Sequence, residues 1–216
     1  VKIHDISPLI SEKIGVFPGD HGFQRKVALE TNQGNHITLS SISTTLHLGA
    51  HADAPIHYGP GLETIEQLKL EPYVGLVQVV TAQVKRGERV TLKHLAAAIT
   101  APRVLVRTNS FLNPDHWNSD FSSFAPELLE TFAQQGVVLV GIDTPSVDPE
   151  DSKTLEAHQA LRRNQLRVLE GLVLDQVKDG LYFLVALPLK IKDADAAPVR
   201  AVLLEDPRLL SISSFS

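Results

Sequence analysis

Cysteine is absent from the 216 residues of this chain. That excludes disulfides, thiolate nucleophiles and thiolate metal sites, and it restricts any metal centre to nitrogen and oxygen ligands. Long apolar runs are missing too; none approaches the roughly 20 residues needed to span a bilayer. The opening Val1-Lys-Ile-His-Asp-Ile-Ser-Pro8 lacks the apolar core of a signal peptide, so the expected location is the cytoplasm. Nor is there an excess of positive charge. A net charge of −5 and a pI near 6.0 argue against nucleic acid or an anionic membrane as the main partner. The remaining composition, 43% hydrophobic and 21% charged, is that of an ordinary globular protein, long enough for one substantial core and short for two.

The pattern of the chain changes near its middle. The first hundred residues read mainly as strands: 1–6 alternates, Phe17-Pro-Gly-Asp20 marks a turn, and 36–46 and 73–84 are rich in β-branched residues. Beyond them Thr91 can cap a short helix over 91–99, and 103–107 reads as a strand. Segment 125–136 has proline in its first turn and glycine just past its end, which predicts a helix. Segments 137–142, 166–174 and 181–189 read as strands and 154–163 as a helix, with a polar loop over 143–152. No repeat or linker interrupts this, so a single α/β domain over 1–216 is expected. The apolar tail 209–215 is expected to dock on its own core or on a second subunit.

The most informative stretch is His47-Leu-Gly-Ala-His51-Ala-Asp53-Ala-Pro-Ile-His57, with three histidines and an aspartate in eleven residues. All four groups fall on odd positions, and in an extended chain they would project to one side. Imidazoles and a carboxylate gathered there suit a metal ion. Residues four apart in a straight strand are separated by roughly 13 Å, nearly too far to share an ion at about 2.0–2.1 Å per bond. A bend is therefore required between His47 and His51, and Gly49 is where the backbone can make it. Asp53 can join His51 without distortion, and Pro55 should end the strand. The plainer reading, histidines in a loop with no shared task, fits His4, His21, His36, His94 and His116 better than this cluster. Downstream, His158 on the predicted helix and Glu170 within an apolar run read on their own as ordinary polar residues. Glu170 is the more suggestive, because a buried carboxylate must be paired or coordinated. The single tryptophan, Trp117, reads as a packing anchor in a polar loop.

The spacing His47-x-Gly-x-His51-x-Asp53-x-Pro-x-His57 resembles the motif of the metal-dependent cyclase-like hydrolases. Gly141-Ile-Asp-Thr-Pro-Ser-Val-Asp-Pro-Glu-Asp-Ser-Lys-Thr-Leu-Glu-Ala-His158 is similar to the bacterial kynurenine formamidases (arylformamidases) within them. Leu169-Glu-Gly-Leu-Val-Leu-Asp175, Ala186-Leu-Pro-Leu-Lys190, Ala197-Pro-Val-Arg-Ala-Val202 and Val16-Phe-Pro-Gly-Asp20 agree with that branch. The resemblance implies a swivelling β/β/α fold, with a mixed sheet and flanking helices, and a homodimer. It implies two zinc ions per chain, with manganese or cobalt also able to occupy such a site. His47 and His51 would hold the first ion, Asp53 and Glu170 would touch both, His158 would complete the second, and His57 would be the general acid/base. The implied reaction is hydrolysis of N-formyl-L-kynurenine to L-kynurenine and formate, in tryptophan breakdown. Phe17 stands where the family usually has a tryptophan that contacts substrate, so it keeps an aromatic face for the aryl ring without the indole N–H. The nearest alternative, a hydrolase of a cyclic amide or lactone such as isatin, would use the same ligands. A non-catalytic metal-binding protein would have no use for the additional His57.

Overall fold

Valine, leucine and isoleucine dominate four runs at the centre of the molecule, and each forms a strand covered on both faces, as parallel strands are. The computed structural model describes residues 1–210. Its strands in chain order are β1 (Lys2–Asp5), β2 (Gln24–Leu29), β3 (Leu39–Ser43), β4 (His51–Asp53), β5 (Val74–Thr81), β6 (Arg89–Val90), β7 (Arg103–Arg107), β8 (Ser123–Phe124), β9 (Leu139–Ile142), β10 (Arg167–Glu170), β11 (Gly180–Val185), β12 (Ala196–Pro198) and β13 (Val202–Glu205). The helices are α1 (Pro126–Gln134), α2 (Glu156–Asn164) and α3 (Pro207–Leu210).

Among the described residues nine strands make one mixed sheet, in the order β1-β13-β11-β5-β7-β9-β10-β4-β12. Its centre, β5-β7-β9-β10, is parallel; every pairing outward from β5 and from β10 is antiparallel. The β2–β3 hairpin stands apart from this sheet with most of its side chains exposed. The expected α/β architecture with a mixed sheet and flanking helices is what the chain adopts. No helix among the described residues is long and apolar enough to cross a membrane.

Strand parity assigns each residue to a face. Val79, Leu105 and Leu169 share one row with Ala52 and Ala197, and pack into the core on one side. Val80, Val104, Val106, Val140, Ile142 and Val168 point the other way, beneath Leu128, Leu129 and Phe132 of α1 and Ala157, Ala160 and Leu161 of α2. Glu170 follows Val168 at the same parity and pairs across the ladder with His51. Both side chains are thereby delivered to the α2 side, where the parallel strands end. A ligand-sized crevice at the carboxyl ends of such strands is the usual outcome of this architecture.

The strand expected over 181–189 ends at Val185, and two further elements come out differently. Segment 91–99 is not a helix: a single 3-10 turn, Leu92–His94, is closed by a capping box between Thr91 and His94. Leu95 then bridges to Ala82 and the Ala96 amide donates to the Thr81 carbonyl, so pairing along the end of β5 overrides the helical composition of the alanine run. The run 166–174 is a strand only as far as Glu170, because Gly171 adopts a left-handed φ of 66° and turns the chain away. Of the tail 209–215, Leu209 and Leu210 end α3 and the rest lies outside the described residues.

Candidate active site

The bend anticipated near Gly49 is present, at a left-handed φ of 55°. A second glycine makes it possible. A Cβ at Gly171 would lie 2.0 Å from the Gly49 carbonyl oxygen, so the two turns pack backbone to backbone with no room for a side chain. That carbonyl oxygen accepts a hydrogen bond at 2.9 Å from His51 Nδ1. A carbonyl cannot donate, so the proton is on Nδ1 and the Nε2 lone pair faces the site.

Only His51 and Asp53 share a face through strand pleat. His47 precedes the bend, and His57 lies in the 3-10 turn Pro55–Tyr58 that Pro55 initiates. The bend expected at Gly49 and the strand's end expected at Pro55 together gather the four groups, where pleat alone would not. His57 reaches the cluster with its ring 4.2 Å from that of His47 and 5.7 Å from that of His158. The turn is tied to α2 by Gln159, whose side-chain amide donates to the Tyr58 carbonyl.

His158 arrives from the first turn of α2. Its Nδ1 donates to Asp148 at 2.8 Å, and the same carboxylate accepts the backbone amides of Ala157 and His158. Asp148 thus caps the helix and fixes the imidazole with Nε2 turned inward, the arrangement by which an outer carboxylate orients a metal-ligating histidine. From there Nε2 lies 3.3 Å from Asp53 Oδ2 and 3.6 Å from Glu170 Oε1. His51 Nε2 lies 3.5 Å from Asp53 Oδ1 and 3.2 Å from Glu170 Oε2. His47 Nδ1 is 3.0 Å from Asp53 Oδ1, and its Nε2 is 3.1 Å from Asp195. The structure therefore brings His47, His51, Asp53, His57, His158 and Glu170 together from three separate parts of the chain.

Electrostatics identify what this arrangement needs. Asp53 and Glu170 are 1% and 2% exposed, and among the described residues their charged neighbours are all histidines. Burial alone would raise the Asp53 pKa, but His47, His158 and His51 outweigh it and hold the carboxyl well below the usual range. For His47, burial would lower the pKa, yet Asp53, Asp195 and Glu170 push it up to about 9. His158 is likewise pushed up to about 10, with Asp148 and Asp53 overcoming burial. Even so, His51 Nε2 and Asp53 Oδ1 are buried with no hydrogen bond. Acceptors facing acceptors fit a divalent cation, and an all-nitrogen-and-oxygen donor set fits one of borderline hardness. Groups able to hold an ion include His47–His51–Asp53 and Asp53–His57–His158. A cation entering there must displace the protons that His47 and His158 otherwise retain at neutral pH.

The cluster forms the floor of a cavity of about 440 Å³. Phe17, Phe111 and Trp117 line it, and Phe17 meets Trp117 edge to face at 5.5 Å. Trp117 also packs on Phe111 and Phe121, so it is a packing anchor and a cavity wall at once. The amide of Gly15 donates to the Pro114 carbonyl at 2.7 Å, joining the Phe17 turn to the tryptophan loop.

Sequence reasoning missed Asp148 and Asp195 as parts of this site. The run of acids in 143–152 was a usable signal for Asp148. Asp195 carried none, because only the β4–β12 pairing brings it beside His47.

Comparison with known proteins follows the same lines. A family model described as a putative cyclase matches residues 4–149. A kynurenine formamidase of Bordetella petrii is 45% identical over 206 residues, covering 94% of this chain and 98% of that one. The solved structure of a potential metal-dependent hydrolase with cyclase activity superposes with a TM-score of 0.80 at 28% identity, over 95% of this chain and 99% of that one. An isatin hydrolase bound to the product analogue thioisatinate gives 0.77 at 19% identity, over 94% and 92% of the two chains, a likeness of fold alone. Sequence similarity maintained over nearly the full length, on a shared fold, means that this chain belongs to the cyclase family of metal-dependent hydrolases, among the kynurenine formamidases.

Proposed function

We propose that this protein hydrolyses N-formyl-L-kynurenine to L-kynurenine and formate with a pair of zinc ions. The observation that carries the reading is a cluster of histidines and carboxylates able to hold a cation, with His57 its most exposed imidazole, in an aromatic-walled cavity. His47, His51, Asp53, Glu170 and His158 would hold the ions, with Asp53 and Glu170 common to both positions. Zinc held there would supply Lewis acidity for the formyl group and would lower the pKa of water toward ~7.

The chain's own residues do the rest. Burial lowers the His57 pKa and the neighbouring His47 and His158 lower it further, against the opposing pull of Asp53, so the ring is a free base at neutral pH. His57 takes the proton from the attacking water and delivers it to the aniline nitrogen as the C–N bond breaks, giving formate and a neutral arylamine. The aryl ring accepts electron density from that nitrogen, which makes it a better leaving group than an alkylamine. Phe17 and Trp117 receive the ring and exclude water. Asp195, 3.1 Å from His47 and 3.8 Å from His57, restrains both imidazoles.

The same reading makes the protein a cytoplasmic homodimer. The β2–β3 hairpin supports the dimer: Leu39 and Ile42 are 52% and 66% exposed and give a second copy apolar surface to cover. The substrate assignment is tested by comparing turnover of N-formyl-L-kynurenine with that of isatin. Faster hydrolysis of the formamide, with equimolar formate and L-kynurenine, is expected; faster ring opening of isatin would contradict it.

A further inference from the structure

The cavity is poor in cations: neither lysine nor arginine is among the described residues that line it. Its acids are mostly committed. Glu170 belongs to the histidine cluster. Asp143 accepts from the Thr108 amide and hydroxyl and from the Asn109 amide. Asp20 accepts from the Thr45 hydroxyl and the His21 amide. Glu150 differs. Its Oε2 accepts the Trp117 indole N–H at 2.5 Å, while among the described residues Oε1 has no hydrogen-bond partner and neither oxygen has an ion-pair partner.

A carboxylate with a spare oxygen, fixed to an indole in a cavity lined by no lysine or arginine, is suited to a primary ammonium. The ammonium supplies N–H donors and opposite charge, and the nearby rings of Trp117 and Phe17 add cation–π attraction. We propose that Glu150 binds the α-ammonium group of the substrate while the formamide lies at the histidine–carboxylate cluster. This rests on the substrate reading above, since N-formyl-L-kynurenine carries its amino-acid arm ortho to the formamide. The loop helps to set the distance between the two ends. Asp148, which fixes His158, stands two positions before Glu150 in the same segment, so one loop positions the reacting end and the recognition end together. With no lysine or arginine in the lining for the α-carboxylate, discrimination falls on the ammonium.

The test is Glu150→Gln, assayed on N-formyl-L-kynurenine and on 2′-formamidoacetophenone, which keeps the ring and ketone but has no ammonium. Glutamine retains an acceptor for the indole N–H and removes only the charge. KM for N-formyl-L-kynurenine is expected to rise about tenfold, with kcat little changed and the acetophenone kinetics unaltered. An equal loss on both substrates would overturn the inference, because Glu150 would then act only through Trp117. Unchanged KM on both would also overturn it. A wild-type enzyme that turns over the acetophenone but not N-formyl-L-kynurenine would instead refute the substrate reading, and the inference with it.

Discussion

Replacing His57 with asparagine is expected to lower kcat on N-formyl-L-kynurenine by about 10²–10⁴-fold while the metal content of the protein stays at the wild-type level. His57 is the most accessible imidazole of the cluster, with 32% of its side chain exposed against 18%, 2% and 3% for His47, His51 and His158. Access to water and substrate is what a proton carrier needs and what a buried ligand does not. The direction of its pKa supports the same role. Burial and the flanking imidazoles favour the neutral ring, so the rate should fall on acidification only as pH drops through a value below the ordinary 6.5. That acid limb should be absent or displaced in the asparagine variant. Metal loss in the variant would make His57 a ligand instead, and near-normal kcat would end the acid/base assignment.

Replacing Asp53 with asparagine should act on the other half of the site. Asparagine matches aspartate in shape, so the change isolates the charge. Asp53 lies within 3.0 to 3.5 Å of His47, His51 and His158 and is the carboxylate common to all three. Without it His47 and His158 lose a charge that holds their pKa values up, and the cluster loses the donor shared by both proposed ions. Metal content is expected to fall well below the wild-type value and turnover by about 10³-fold, with the far-ultraviolet circular dichroism of the folded chain retained. Wild-type metal content measured by atomic spectroscopy, together with wild-type turnover, would show that Asp53 is not part of the centre.

Much of this site could be read locally, and the unread parts have a common cause. The His47–His57 segment declared its own chemistry and its own bend, because spacing, Gly49 and Pro55 all act within a few residues. The strands at 103–107 and near 137–142 were visible as short apolar runs. His158 and Glu170 looked ordinary because their meaning lies in distant partners: His158 meets Asp53 across 105 positions, and Glu170 meets His51 through strand register. Alanine-rich 91–99 misled for the same reason. Its local composition favours a helix, and its pairing with β5 decides otherwise. The family resemblance pointed to His158 and Glu170, the distant proposed ligands that spacing alone left open. Asp148, which positions His158, and Asp195, which touches His47, became evident only from the folded arrangement.

The central claim is that hydrolysis of the formamide depends on cations held by this cluster. The most direct measurement is turnover of N-formyl-L-kynurenine against bound metal per chain, during chelation and then stepwise return of zinc. Activity should vanish as the metal is removed and return in proportion to zinc bound, reaching its full value as both proposed positions fill. Wild-type turnover by protein shown to contain no metal would contradict the account.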